Sequence, residues 1–308
     1  MKTWTEYAFF MLFRALARRL SLRTAGRVGA VLGGLVFRLT PVRKKVTLDN
    51  LALAFPEKSA AERRMIALGA FRNYGSAIFE MFRIGRSTDE ELRGAVRWVN
   101  AGVPCAAYAR GKGIIMLSAH FGSWELVLPA IKLSFGWPVM AIVQQQRNAR
   151  INLVVDAQRR RFVDTTIPMA RAVREVLRGL REKQALVILG DQSGSKESLF
   201  IPFFGRPAAT HRGAAAFALR SGAPLVLFLV VRAAAGYEIC CEEIDYADIA
   251  GYTEDHIVEL TRRHAAVLER FIRAHPDHWL WQHKRWKHTA FYEARHDQGQ
   301  SAPEDDGT

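Results

Sequence analysis

From residue 113 onward, short apolar runs alternate with amphipathic stretches, and this alternation constrains the fold more than any other feature of the chain. GIIMLSA (113–119), PVMAIV (138–143), QALVILG (184–190), PLVLFLVVR (224–232) and YEICCEE (237–243) read as strands. SWELVLPAIKLSF (123–135), residues 149–162, ARAVREVLRGLREK (170–183), HRGAAAFALRSG (211–222) and residues 253–274 read as helices. Several of these strands are apolar at nearly every position, as strands covered on both faces must be. The pattern predicts an α/β fold with a mostly parallel central sheet flanked by helices. Ligands of such sheets sit beyond the carboxyl ends of the strands.

The residues ahead of the sheet read as helical to about residue 100. Ser59 with Glu62 three residues on forms a capping-box signature. Apolar positions Met65, Ile66, Leu68, Phe71, Ile78, Met81 and Phe82 follow at helical spacing. Residues 1–48 hold ten Lys/Arg against one acid, Glu6, with aromatic and apolar residues interleaved. The apolar runs Tyr7–Phe13 and Val28–Phe37 fall short of the roughly 20 residues of a spanning helix, and no signal-peptide cleavage pattern follows them. The pattern predicts helices lying in a membrane interface, with arginines toward phosphates; the alternative is an amphipathic helix docked on the protein's own core. The organisation expected is a membrane-associating region over 1–45, a continuous main domain over 46–292, and a polar, acidic, disordered tail over 293–308. No internal repeat is visible.

The net charge of +14 suits an anionic partner: nucleic acid, an acidic protein or an anionic membrane. A nucleic-acid protein would not need two apolar N-terminal runs. The stretch WQHKRWKH (281–288) interleaves rings and cations, which suits lipid headgroups; its alternative is a base-stacking patch. Cys105, Cys240 and Cys241 offer neither a disulfide framework nor metal-ligand spacing. The chain lacks G-x-S-x-G, Walker A, G-x-G-x-x-G and H-E-x-x-H patterns, so no metal or cofactor is expected.

The chemistry-bearing candidates lie at the ends of apolar strands. His120 follows GIIMLSA, and Glu125 comes five residues later, after Gly122 and the possible helix cap Ser123. On one straight helix that offset would splay the two side chains by about 140°, whereas across a strand–turn–helix corner they can converge. A carboxylate on one imidazole nitrogen fixes the tautomer and makes the other nitrogen a base. The alternative is a structural histidine and a glutamate favoured in a first helical turn by the helix dipole. Asp191 and Gln192 follow a second strand end, as substrate ligands or turn caps. His211 and Arg212 open a helix, where an anion binds well.

His-x-x-x-x-Glu after an apolar strand resembles the His-x4-Asp/Glu motif of the lysophospholipid acyltransferase superfamily. LDNLALAFPEKSAAE (48–62), NARINLVVDAQRRRF (148–162), LGDQSG with IPFFGRPAATHRGAAAFALRSGAPLV (189–226), and WLWQHKRWK (279–287) resemble, in order, the sequence blocks of the late acyltransferases of lipid A biosynthesis. The resemblance spans about residues 45–288. Alanine at 149 departs from the family's usual proline after Asn148.

The resemblance implies a glycerolphosphate acyltransferase-like fold and transfer of a fatty acyl chain from an acyl carrier protein thioester (or acyl-CoA) to a hydroxyl of a membrane glycolipid. A lipid A precursor is the acceptor it favours. Another bacterial lipid (a phosphatidylinositol mannoside, an aminolipid or a lysophospholipid) and a non-catalytic lipid-binding role remain the alternatives. It assigns His120 as general base and Glu125 as its orienting carboxylate. It gives Arg159 to substrate phosphate or oxyanion, Asp191, Gln192, His211 and Arg212 to substrate binding, and Phe203, Phe204 and Gly205 to an acyl tunnel. It places the chain at the cytoplasmic face of a bacterial inner membrane.

Overall fold

The computed structural model describes residues 2–143, 147–168 and 172–300. Its centre is a seven-stranded sheet in the order β1-β9-β8-β2-β5-β3-β4, where β1 is Val96–Trp98, β2 Ile114–Ser118, β3 Val139–Val143, β4 Thr165–Pro168, β5 Ala185–Leu189, β8 Leu225–Ala233 and β9 Gly236–Glu243. All neighbours pair in parallel except β8 and β9. That hairpin is antiparallel because only a short turn joins its strands, while each parallel neighbour needs a long crossover. β6 (Leu199–Phe203) and β7 (Arg206–Thr210) form a separate hairpin.

Alternation along the strands divides the core. Ile115, Leu117 and Leu186 face one way, toward α9 (Ala172–Arg181), α10 (Gly213–Ser221) and α11 (Glu254–Ala274). Ile114, Met116 and Val187 face the other, toward α7 (Val127–Phe135). The five strands and the helices read from sequence are present. Five elements before α11 are additional: β1, α6 (Gly102–Tyr108), β4, β6 and β7.

Ahead of the sheet lie α1 (Lys2–Ala17), α2 (Leu22–Leu39), α3 (Lys44–Ala54), α4 (Ala60–Ile84) and α5 (Asp89–Ala95). The Ser59–Glu62 capping box forms at the start of α4. α2 and α4 approach closely, since a Cβ added at Gly29 would stand 2.2 Å from the Gly75 carbonyl oxygen. Among the described residues no single helix is long and apolar enough to cross a membrane; α2 and α3, bent by 93°, reach that length and composition only as a pair. At the other end, α12 (Thr289–Gln300) carries helix into the stretch expected as a disordered tail, and residues 301–308 lie outside the described residues.

Candidate active site

Parallel pairing brings the chemistry together. Ser118 at the end of β2 is in register with Leu189 at the end of β5. Two residues beyond each of these, His120 and Asp191 leave the sheet side by side. His120 Nδ1 lies 2.9 Å from Asp191 Oδ1, and the His120 backbone N–H donates to Asp191 Oδ2 at 3.0 Å. The Trp279 indole N–H donates to the same Oδ2 at 2.9 Å. The Asp191 carboxylate, 3 % exposed, thus accepts three hydrogen bonds. Burial alone would raise its pKa, but the His120 charge and these donors prevail and lower it. Burial alone would lower that of His120, but the Asp191 carboxylate, its hydrogen bond and the Glu125 charge outweigh burial and raise it. With Nδ1–H engaged by Asp191, Nε2 is left toward Gln192, whose Nε2 is 3.5 Å away.

Glu125 therefore does not hold the imidazole, as the five-residue spacing had suggested. It accepts from Arg159 instead, Nη2 to Oε1 at 2.7 Å and Nε to Oε2 at 3.5 Å. The reason is local. Ser123 does not cap a helix here; its hydroxyl donates to the buried Glu80 Oε2 at 2.6 Å. The chain continues as a 3-10 turn, Trp124–Leu126, before α7 begins. That turn aims Glu125 at α8 (Ala149–Arg159), whose last residue is Arg159. Burial would lower the Arg159 pKa; Glu125 overrides it and raises it.

A cavity of about 780 Å³ opens over these strand ends. His120, Glu125, Arg159, Gln192, His211 and Arg212 all line it. Arg212 is drawn outward by Glu254, at 2.7 Å, so of the pair opening α10 only His211 keeps its ring unpaired by a carboxylate. Burial first, then the charges of Arg285 and Lys287, lower the His211 pKa. Phe203 and Phe204 do not line the cavity. They are buried in the β6–β7 hairpin against Trp279, Trp281 and Trp286, and Gly205 makes the turn between the two strands at φ 72°. The tunnel assignment for these three gives way to core packing, because the hairpin folds their side chains onto the C-terminal segment.

That segment also differs from expectation. Trp281, Arg285 and Trp286 are buried and do not form a headgroup patch. Arg285 donates to the Ala209 carbonyl at 2.6 Å and to Thr210 Oγ1 at 2.7 Å. Asn50 holds the carbonyls of Trp281 and His283, and Asn73 that of His278. Trp279 is the site residue that sequence reasoning missed; indole donors in an irregular segment carry no periodic signal. Also missed is the network behind the turn that follows His120. Arg232 of β8 pairs with Glu80 of α4 and donates to Asn73 Oδ1 at 2.8 Å and to the Gly122 carbonyl at 3.4 Å. Gly122, at φ 57°, is needed there, because a Cβ would stand 1.7 Å from the Val230 carbonyl oxygen.

An imidazole held by a buried carboxylate, beside a cavity lined by both apolar and charged side chains, is an arrangement suited to a general base and to a substrate with an apolar part. Comparison with known proteins specifies the class further. Residues 1–288 match the family model of the bacterial lipid A biosynthesis acyltransferases, and the chain belongs to that family of acyltransferases. It is 27 % identical over 267 residues to a lipid A biosynthesis palmitoleoyltransferase of Escherichia coli, covering 84 % of each chain. It is 26 % identical over 274 residues to the lauroyltransferase of the same organism, covering 85 % of this chain and 84 % of that one. A lipid A biosynthesis acyltransferase of Haemophilus influenzae is 22 % identical over 252 residues, with 80 % and 78 % covered.

Proposed function

We propose that the protein transfers a fatty acyl chain from an acyl carrier protein thioester to a hydroxyl of a lipid A precursor, with His120 as general base. The observation that carries this reading is the Asp191–His120 contact, which commits Nδ1 as a donor and leaves Nε2 as the acceptor beside the cavity. Nε2 takes the proton of the acceptor hydroxyl as its oxygen attacks the thioester carbonyl. The tetrahedral intermediate collapses with cleavage of the C–S bond, and the imidazolium returns its proton to the departing sulfur. A base of this kind is worth roughly 10² to 10⁴ in rate.

Arg159, held by Glu125 through Nη2 and Nε, lines the same cavity with its fixed positive charge. Its role in this reading is to bind an acceptor phosphate or the oxyanion, which a planar guanidinium does well. Glu125 then positions the arginine, and Asp191 positions the base. His211 and Gln192 contact the substrate.

The setting supports a membrane-borne acceptor. Trp4, Phe9, Leu12 and Leu16 on α1, and Val31, Leu35 and Leu39 on α2, are exposed apolar residues among arginines. Helices of that character lie in the bilayer interface and seat on anionic headgroups. The cytoplasmic face of a bacterial inner membrane is the location this implies, and the net charge of +14 also attracts an acidic carrier protein.

The test is direct. Purified protein with acyl carrier protein thioester and a lipid A precursor should release free thiol and give a product heavier by one acyl group in mass spectrometry. Thioester left intact with that acceptor, but consumed with a different bacterial lipid, would move the substrate assignment; no consumption with any acceptor would remove the catalytic reading.

A further inference from the structure

Outside the cavity, four arginines meet where α1 and α4 end. Arg18, Arg19 and Arg86 line a pocket of about 400 Å³ together with Ala15. Arg14 lies one turn before Arg18, whose backbone N–H donates to the Arg14 carbonyl. The Nε atoms of Arg14 and Arg18 are buried and unpaired, and none of the four guanidinium groups has a hydrogen-bond or ion-pair partner among the described residues. Two carboxylates close in the chain to Arg86 are already engaged. Glu91 accepts twice from Arg83 Nη2, at 2.8 and 3.0 Å, and Asp89 pairs with Arg161. The Leu20 carbonyl, which follows Arg18 and Arg19, is taken by Arg83 Nε at 2.6 Å.

Cations packed in this way repel one another. Burial first, then the charge of Arg18, holds the Arg14 pKa below its ordinary value. A buried guanidinium nitrogen without a partner also forfeits the hydrogen bonds that it made with water. An anion in the pocket answers both costs. Charge and geometry say which kind. A phosphomonoester carries about −1.5 to −2 near pH 7 on three acceptor oxygens, whereas a diester carries a single charge. The planar fork of arginine matches phosphate oxygens in pairs. Leu12 and Leu16, on the turns of α1 that lead into the pocket, are exposed. A ligand that reaches Arg18 and Arg19 along that face meets apolar surface first, as a lipid would.

We propose that Arg18, Arg19 and Arg86, backed by Arg14, form an anion site, separate from the cavity, that binds the phosphomonoester group of a lipid. The end of α4 ties this site to the cavity. Gln158, the neighbour of Arg159, donates to the Met81 carbonyl of α4, and a Cβ at Gly85 would stand 2.6 Å from Gln158 Oε1. Arg86 and Arg159 thus flank one contact between α4 and α8. The phosphate in the pocket belongs either to a lipid of the bilayer or to the acceptor lying across that contact, and the two sources are separable by experiment.

The experiment measures flotation of the full-length protein in two arms. The first uses phosphatidylcholine vesicles that contain phosphatidic acid, a monoester, or phosphatidylglycerol, a diester, matched in zeta potential. The second uses neutral vesicles that contain a lipid A precursor with or without its phosphates. In one arm or both, the wild type should bind the monoester vesicles about tenfold or more tightly, the worth of one charged hydrogen bond. A preference in the first arm alone assigns the pocket to a bilayer lipid, and a preference in the second assigns it to the acceptor. Arg18→Gln/Arg86→Gln should bring the paired affinities to within about twofold, and Arg18→Lys/Arg86→Lys, which keeps the charge without the fork, should retain part of the preference. Arg23→Gln/Arg27→Gln removes the same charge from exposed positions on α2 and should lower both affinities alike, with the preference kept. Retained binding to phosphatidylglycerol shows that each variant is folded. No preference in either arm, a preference that survives Arg18→Gln/Arg86→Gln, or one that Arg23→Gln/Arg27→Gln removes as well, overturns the site. A protein that transfers no acyl group leaves it standing, because neither arm needs turnover.

Discussion

Asp191 Oδ1 stands 2.9 Å from His120 Nδ1 although 71 residues of chain separate them. Both follow strands that pair in parallel, and each is the second residue past the end of its strand. The imidazole and its carboxylate are therefore set by sheet register. Glu125, much nearer in sequence, is turned toward Arg159.

His120→Ala should lower turnover by about 10²- to 10⁴-fold with the fold intact. Asp191→Asn should also cost activity, and it should change the pH profile. The base works when neutral, so the rate climbs as pH rises through the His120 pKa, which Asp191 helps to hold above its ordinary value against the opposing effect of burial. With the carboxylate gone, burial prevails and the acidic limb should move to lower pH. A kcat/KM profile of Asp191→Asn that keeps the wild-type limb would remove Asp191 from the base.

Arg159→Lys separates two roles. If the guanidinium holds an acceptor phosphate, the apparent acceptor affinity should fall roughly ten- to a hundredfold, the equivalent of about 1.5–3 kcal/mol for a charged hydrogen bond, with donor affinity nearly unchanged. If it holds the oxyanion, kcat should fall instead. Glu125→Gln should follow Arg159→Lys in whichever constant moves, and should lower the His120 pH limb less than Asp191→Asn does, because the Glu125 charge raises the His120 pKa less than Asp191 does. Steady-state kinetics with each substrate varied separately reads all of these.

Acid should destabilise the protein between about pH 6.5 and 4. Burial holds His264 and His283 at about 4, against an ordinary value near 6.5. The unfolded chain then binds more protons than the folded one across that interval, so stability falls as pH falls. Urea midpoints measured from pH 7 to 4.5 should decline, and His264→Leu should decline less steeply. A flat series would mean that these rings take up protons within the fold.

Deleting residues 1–20 should weaken association with anionic vesicles in a flotation assay, and the binding that remains should fall with added salt. Removal of Trp4, Phe9 and Leu12 from the surface is the cause expected. Equal flotation of the shortened and full-length proteins would move the membrane contact elsewhere.

The strands β2, β3, β5 and β8 were legible because their apolar runs are unbroken, and α4 because its cap and its apolar spacing agree. β1 and β4 span only three and four residues, too few to show a period. The β6–β7 hairpin carries Pro202 and Pro207, which argue against strand from sequence. At the site, His120, Asp191 and Arg159 each stood out singly, at a strand end or in a cluster of charges. Their pairings did not. Which carboxylate meets which cation depends on β5 lying beside β2 and on Glu80 claiming the Ser123 hydroxyl, and neither is a local property. Trp279 sits in a segment with no repeating pattern to read.

The Trp279 indole is the last protein donor to reach Asp191, and it lies near the end of the matched region. During synthesis the strands that carry His120 and Asp191 emerge well before it does. Until residue 279 clears the ribosome, the Asp191 carboxylate lacks one of its three donors, and Trp281, Arg285 and Trp286 have not yet packed against the rest of the fold. A nascent chain would thus carry His120 through most of translation in an unfinished setting. If acyl transfer uses His120 and Asp191 as proposed, a chain broken off before Trp279 should be inert even where its sheet has formed.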